Sequence, residues 1–218
     1  MKPLRLFLLF IFPAFGFSQT AEEQVSLVKS RLDSVETFMA DIQLHADISF
    51  IKMPDKQVQA VFNKGEDLVI TSESFVLIPK RGLDLSFSEL FEYPYMVIER
   101  GKVEGESTSL LKVSILPSDR KAEFSIANLH IDQDKNRIIW AEINTKKDGT
   151  YTLELTYPDS QAVLPTKLDI SFEMDRIRIP LNFAGSDANI DRKKMKETDQ
   201  KTGKITLVLK YRSIEKSS

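Results

Sequence analysis

No cysteine occurs in the 218 residues, so no disulfide, no thiolate metal site and no lipid-anchored cysteine can form. Histidine is nearly absent as well. His45 and His130 stand far apart in the sequence, and a metal pair or proton relay built on them would need them to meet by coincidence; both are read as solvent-facing. Glycine is scarce, and none of the eight falls in a GxGxxG or Walker pattern, while HExxH and GxSxG are also missing. A Ser-His-acid group can assemble in space without a local motif, but no strained nucleophile turn marks one. The chain does not read as an enzyme, and it implies no cofactor and no metal. The run Asp132 to Asn136 begins like a calcium loop and then fails: Arg137 stands where the turn needs glycine and Ile143 where a bidentate glutamate would close the sphere.

Charge of one sign is lacking too. Thirty basic residues face 32 acidic ones, interspersed along the chain, for a formal net charge of −2, which argues against nucleic acid as a partner. The short basic run Arg192, Lys193, Lys194 and Lys196 reads as a solvated loop. The main continuous apolar run, Leu6 to Phe17, is too short to span a bilayer. Lys2 and Arg5 precede it and small residues, Gly16 and Ser18, follow, so residues 1–18 read as a signal peptide cut after Ser18. The expected mature protein is a single periplasmic domain at 19–218, soluble and stabilised by an apolar core alone.

What is present is periodicity. Val25, Val28, Leu32 and Val35 recur at helical steps, Thr20 and Glu23 have capping-box spacing, and the helix is expected to run to near Phe38. From Asp41 to Ile51 the pattern becomes strict alternation, the mark of a half-buried strand. The same period returns in Val58 to Phe62, Leu68 and Ile70, Tyr151 to Tyr157, Leu168 to Met174 and Ile205 to Tyr211. Further strands are expected around Phe75 to Ile78, Tyr95 to Arg100, Ser109 to Leu116, Ala122 to Ile131 and Arg137 to Thr145. A change of phase near Ile126 predicts a β-bulge, and the turns at Asp132 to Asn136 and at Asp148-Gly149 predict hairpins. Arg81 to Tyr93 reads as a short helix or apolar loop over the sheet, and Ala184 to Gly203 as a long exposed loop or marginal helix. Trp140 is placed on the less buried face of its strand with Ile138 and Glu142, either under a loop or at a partner contact.

The fold class is therefore mainly β (α+β): a single strongly curved antiparallel sheet of about ten strands with one apolar face. One long helix cannot cover that face, so the sheet must curl round it. An incompletely filled curl leaves an apolar cavity.

The order of these features resembles the LolA-like family of outer-membrane lipoprotein carriers and sorting proteins. The resemblance rests on the N-terminal helix, the strand Asp41 to Ile51, Val58-Gln59-Ala60-Val61-Phe62-Asn63-Lys64, Phe75-Val76-Leu77-Ile78-Pro79-Lys80 and Leu116-Pro117. It continues through the strand pair Phe124 to Asp132 and Arg137 to Asn144, Asp148-Gly149-Thr150, Leu164-Pro165 before Lys167 to Glu173, and Gly203-Lys204-Ile205-Thr206-Leu207. It implies a half-open barrel with the N-terminal helix as lid, holding lipoprotein acyl chains or another lipid in transit towards the outer membrane. It also implies an inner-membrane release complex and an outer-membrane receptor as partners, with a monomer as the working form.

On this resemblance the lid residues are Val25, Val28 and Leu32. The cavity wall is Leu44, Ile48, Phe50, Phe62, Ile70 and Phe75, then Leu153, Leu155, Phe172 and Leu207. The same residues can equally form a fully packed core with no space for a guest. The arginine that ties the lid in the better-known carriers has no matching position here. A sensor or interaction module that binds lipidated or unfolded envelope proteins is the alternative function on the same fold.

Overall fold

The computed structural model describes residues 20–66, 68–71, 88–103, 110–147, 149–174, 189–197 and 199–217. Their elements in chain order are α1 (Ala21–Asp33), β1 (Val35–Ile48), β2 (Ile51–Lys52), β3 (Lys56–Asn63), β4 (Val69–Thr71), α2 (Ser88–Phe91), β5 (Tyr95–Lys102), β6 (Leu110–Pro117), β7 (Phe124–Asp132), β8 (Arg137–Thr145), β9 (Thr150–Thr156), β10 (Lys167–Met174), β11 (Asn189–Ile190), α3 (Arg192–Glu197) and β12 (Lys201–Lys216). The signal segment, Phe75 with its expected strand, and Asp148 lie outside the described residues.

All twelve strands belong to one antiparallel sheet, in the order β1-β12-β10-β9-β8-β7-β6-β5, with β3 and β4 beyond the first part of β1 and β2 and β11 beyond its end. The alternation seen in the sequence sorts its two faces. Ala46, Ile205, Ile170, Leu153, Ala141, Leu129 and Val113 are successive register partners from β1 to β6, an unbroken apolar row. One residue along, His45, Thr206, Asp169, Glu154, Trp140, His130 and Lys112 form the matching row on the other face.

The sheet curls tightly. α1 leads directly into β1, yet it also packs against β5, seven strands away along the sheet, where Tyr95 feels the charges of Lys29 and Asp33. Flat strands would place β1 and β5 about 34 Å apart, and a helix of this length covers only about 20 Å.

Thr20 caps α1 as expected: Glu23 N donates to Thr20 Oγ1 (3.2 Å) and Thr20 N to Glu23 Oε2 (2.9 Å). The helix stops at Asp33, well before Phe38. Val35 continues the helical spacing by accident, because an irregularity between Val35 and Thr37 turns both Val35 and Phe38 inward. The expected bulge in β7 is present, with the register shifting between Phe124 and Ile126. A second shift, opposite His130 and Ile131, was not foreseen in β8; it turns Ile138 into the core and separates it from Trp140, with which it had been grouped.

The last strand is longer than expected at 16 residues, and it takes over the end of the segment read as a loop. Its described remainder holds β11 and α3, the latter consistent with a short helix.

Both hairpin turns form, and Gly149 at φ 87° shows why one needs glycine. A Cβ there would run into the Glu173 carbonyl and come within 2.9 Å of Met174 Cα. Gly149→Ala is expected to cost at least about 1–3 kcal/mol, read as a lower urea midpoint at unchanged m-value.

Asp169 anchors the outer face. Lys167 Nζ donates to it at 2.7 Å and Thr206 Oγ1 at 2.6 Å, with Lys204 Nζ 3.5 Å away. Burial pushes its pKa up, but the hydrogen bonds from Lys167 and Thr206 and the two lysine charges outweigh it and hold the carboxyl below 3.8. A folded pKa below the unfolded one means this stabilisation is present above pH ~4 and is lost as pH falls through the folded value. Asp169→Asn is expected to lower stability at neutral pH and to flatten the acid limb of the stability-versus-pH curve, measured by urea unfolding.

Candidate functional site

The two histidines can be dismissed as a pair. They lie in one transverse row but five strand spacings apart, roughly 24 Å. His45 Nδ1 is 2.7 Å from Asp55 Oδ1, and His130 stacks on Trp140 with centroids 4.4 Å apart. Trp140 thus packs on a neighbouring strand rather than under a loop. Among the described residues no three His, Asp or Glu side chains are grouped to hold a metal ion. The Asp132 carboxylate has a structural role: it accepts from the Lys135 amide and Nζ and closes the β7–β8 turn.

The candidate site is the apolar face beneath α1. Leu44, Leu207 and Leu155 share one row with Leu168, and Leu153 sits in the next. Ile48 and Phe172 meet across Gly203, where a Cβ would lie 2.6 Å from the Phe172 ring and 2.7 Å from Ile48 Cγ1. Phe50 is fully buried beyond the end of β1. Phe62 stacks on Phe38 at 5.2 Å, with Tyr211 edge-on to Phe38 at 5.7 Å. Ile70, opposite Ala60 on β4, is half-buried. From the helix, Val25 and Val28 reach the same cluster and Leu32 packs at its margin. The described wall residues therefore touch one continuous core.

Among the described residues one cleft lies beside the helix. A cleft lined by Val28, Arg31, Leu32, Asn136, Arg137, Ile138, Tyr157 and Val163 has a cavity volume of about 10 Å³, room for one water. A lipid chain needs a site of several hundred Å³. The expected void is not present at this cleft.

Polar contacts hold the helix down. Gln24, fully buried, donates Nε2 to Asn136 Oδ1 at 2.7 Å; Asn136 occupies the left-handed region at φ 48° in the β7–β8 turn. Arg31 Nη2 donates to the carbonyls of Gln161 (2.9 Å) and Ala162 (3.2 Å) in the β9–β10 loop. Asp159 shapes that loop by accepting the amides of residues 161 and 162, and Arg137 Nη1 donates to its carbonyl. Lys64 Nζ caps the C-terminal end of α1 on the Asp33 carbonyl.

Arg31 thus ties α1 to the β9–β10 loop. Beside it the Arg137 guanidinium lies 4.4 Å above the Tyr157 ring, whose hydroxyl donates to the Ile138 carbonyl. Burial pushes the Tyr157 phenol far up, so it stays a donor at any physiological pH. Sequence reasoning named Asn136 and Arg137 only for the β7–β8 turn; the one signal for Gln24 is its place as a polar residue four positions before Val28 on the apolar face of the helix.

Arg31→Ala removes two charge-assisted hydrogen bonds, about 1.5–3 kcal/mol of helix docking. Faster amide hydrogen exchange is expected in α1 with β9 and β10 unchanged; equal acceleration everywhere would show that the contact supports the whole fold rather than the lid.

No family model matches the sequence, and no curated protein sequence matches it. Solved structures do. A LolA superfamily protein from Nitrosomonas europaea superposes with a TM-score of 0.52 at 11% identity, over 92% of this chain and 95% of that one. A lipoprotein-sorting protein domain from Vibrio parahaemolyticus gives 0.46 at 10% identity, over 89% and 94%. At such identity the likeness speaks to architecture alone: an open, curled antiparallel sheet with an N-terminal helix over its apolar face, which is a LolA-like fold.

Proposed function

We propose that this chain is a periplasmic carrier that takes up the acyl chains of lipoproteins, or of a related lipid, beneath α1 and releases them towards the outer membrane. One observation carries the reading: a continuous apolar face running from β1 to β6 lies against α1, which the described residues hold by Val25, Val28 and Leu32 and by polar ties to the β7–β8 turn and the β9–β10 loop. The LolA-like fold agrees with it. We also propose export by the signal segment 1–18, leaving one domain at 19–218. Among the described residues no helix is long and apolar enough to cross a membrane. The wall is assigned to the described residues named above, with Phe75 added from the sequence.

The energetics allow a helix lid. Lifting α1 uncovers Val25 and Val28, at about 1.5–3 kcal/mol each. A guest chain gains about 0.8 kcal/mol per methylene buried, so roughly eight methylenes offset the opening. Ordinary acyl chains are longer than that. No covalent chemistry is needed, and the cost of opening helps return the guest.

Protein purified from a native envelope is expected to carry lipid or lipoprotein, detected by mass spectrometry of an organic extract. Repeatedly ligand-free preparations that also fail to bind a fluorescent fatty acid would sink the carrier reading.

A further inference from the structure

The cleft between α1, the β7–β8 turn and the β9–β10 loop contains an arrangement that acyl packing does not use. Arg31 and Arg137 both line it. Their terminal nitrogens are engaged by the carbonyls of Gln161 and Ala162 and of Asp159 respectively. In both side chains the Nε–H is buried and meets no hydrogen-bond acceptor among the described residues; the Gln24 Oε1 acceptor on the helix nearby is likewise buried without a donor. Asp132 Oδ2 is 3.7 Å from Arg137 Nε, beyond hydrogen-bond range, and already accepts from Lys135 Nζ at 2.8 Å.

Buried donors are nearly always paired, so two of them at one cleft call for an acceptor. The cleft's volume, about 10 Å³, suits a single oxygen atom. Charge points the same way at Tyr157, where Arg137 and Arg31 act against Asp132, while the Asp159 carboxylate is taken up by the amides of residues 161 and 162.

We propose that this cleft is an oxyanion subsite, in which Arg31 and Arg137 receive a phosphate or carboxylate oxygen from the headgroup of an acyl ligand whose chain lies beneath α1. The inference rests on the carrier reading and deepens it. An oxygen held by both residues bridges the helix to β8, so an anionic ligand would itself fasten the lid over its own chain. Guanidinium suits this task because it keeps its charge when desolvated and can give its terminal nitrogens to the loops while presenting Nε to the guest.

The test compares dodecyl phosphate with dodecanol, equal in chain and different in charge, as competitors for a fluorescent fatty acid on the full mature protein. The ratio of the two affinities is the readout, because a looser helix changes both alike. Wild type is expected to prefer dodecyl phosphate by about tenfold or more, as a charge-assisted hydrogen bond predicts. Arg31→Gln and Arg137→Gln should each bring the ratio close to one, and Arg31→Lys, which keeps the charge but lacks the Nε donor, should retain only part of it. Should Arg137→Gln fail to fold without its stack on Tyr157, the Arg31 variants decide the matter alone.

Equal binding of the two competitors by wild type, or a preference that survives Arg31→Gln, overturns the subsite and leaves the carrier reading standing. Failure of both to bind overturns the carrier reading and the subsite with it. Inorganic phosphate alone is expected to leave the unfolding temperature unchanged. A rise that Arg31→Gln abolishes would make the free ion the ligand and overturn the assignment to a lipid headgroup.

Discussion

An antiparallel sheet that alternates apolar and polar residues along every strand has one face that must be kept from water, and the rest of this molecule depends on how that face is covered. Between β1 and β6 the apolar rows run without a polar interruption. A single helix of 13 residues is the only long helix among those described. The sheet answers by curling, so that its strands cover one another and α1 spans what remains. Curvature and the buried helix face share that one cause.

Closure by one helix is stable but shallow. Apolar contact from α1 comes from Ala21, Val25 and Val28, with Leu32 at the margin, mostly small side chains, while its polar contacts are made to turns and loops at one end of the sheet. Small side chains leave the helix docked by a few kcal/mol rather than by a large interlocked surface. Such an element can move while the sheet stays intact, because the ladder from β1 through β12 to β6 does not pass through it. The outer face contributes rigidity instead, through Asp169 with its lysines and the stacked pair His130 and Trp140.

Much of this was legible in the sequence, and the failures have physical explanations. Period-two alternation located the strands well, because one buried face imposes the pattern directly on the residues; β8 began and ended where expected. The end of α1 was misplaced because Val35 satisfies helical and bulged-strand spacing alike, and only pairing with β12 distinguishes them. Ile138 was assigned to the wrong face for the same kind of reason: a bulge depends on the partner strand, which a local pattern does not contain.

The burial of apolar residues such as Leu44, Leu153 and Leu207 was readable for similar reasons. Whether these residues enclose space was not, since packing depends on how side chains from distant strands interlock, as Phe172 does over Gly203. The polar cluster around α1 was not legible as one because Gln24 and Arg31, Asn136 and Arg137, and Tyr157 come from three separate segments with no spacing in common. By itself the sequence determined the strands, the helix cap and the existence of an apolar face too large for one helix, since each is a local pattern enforced by burial. The degree of curl, the closed cleft and the meeting of two arginines beneath the helix were decided only by tertiary structure, because they depend on long-range strand order and on which loops that order brings together.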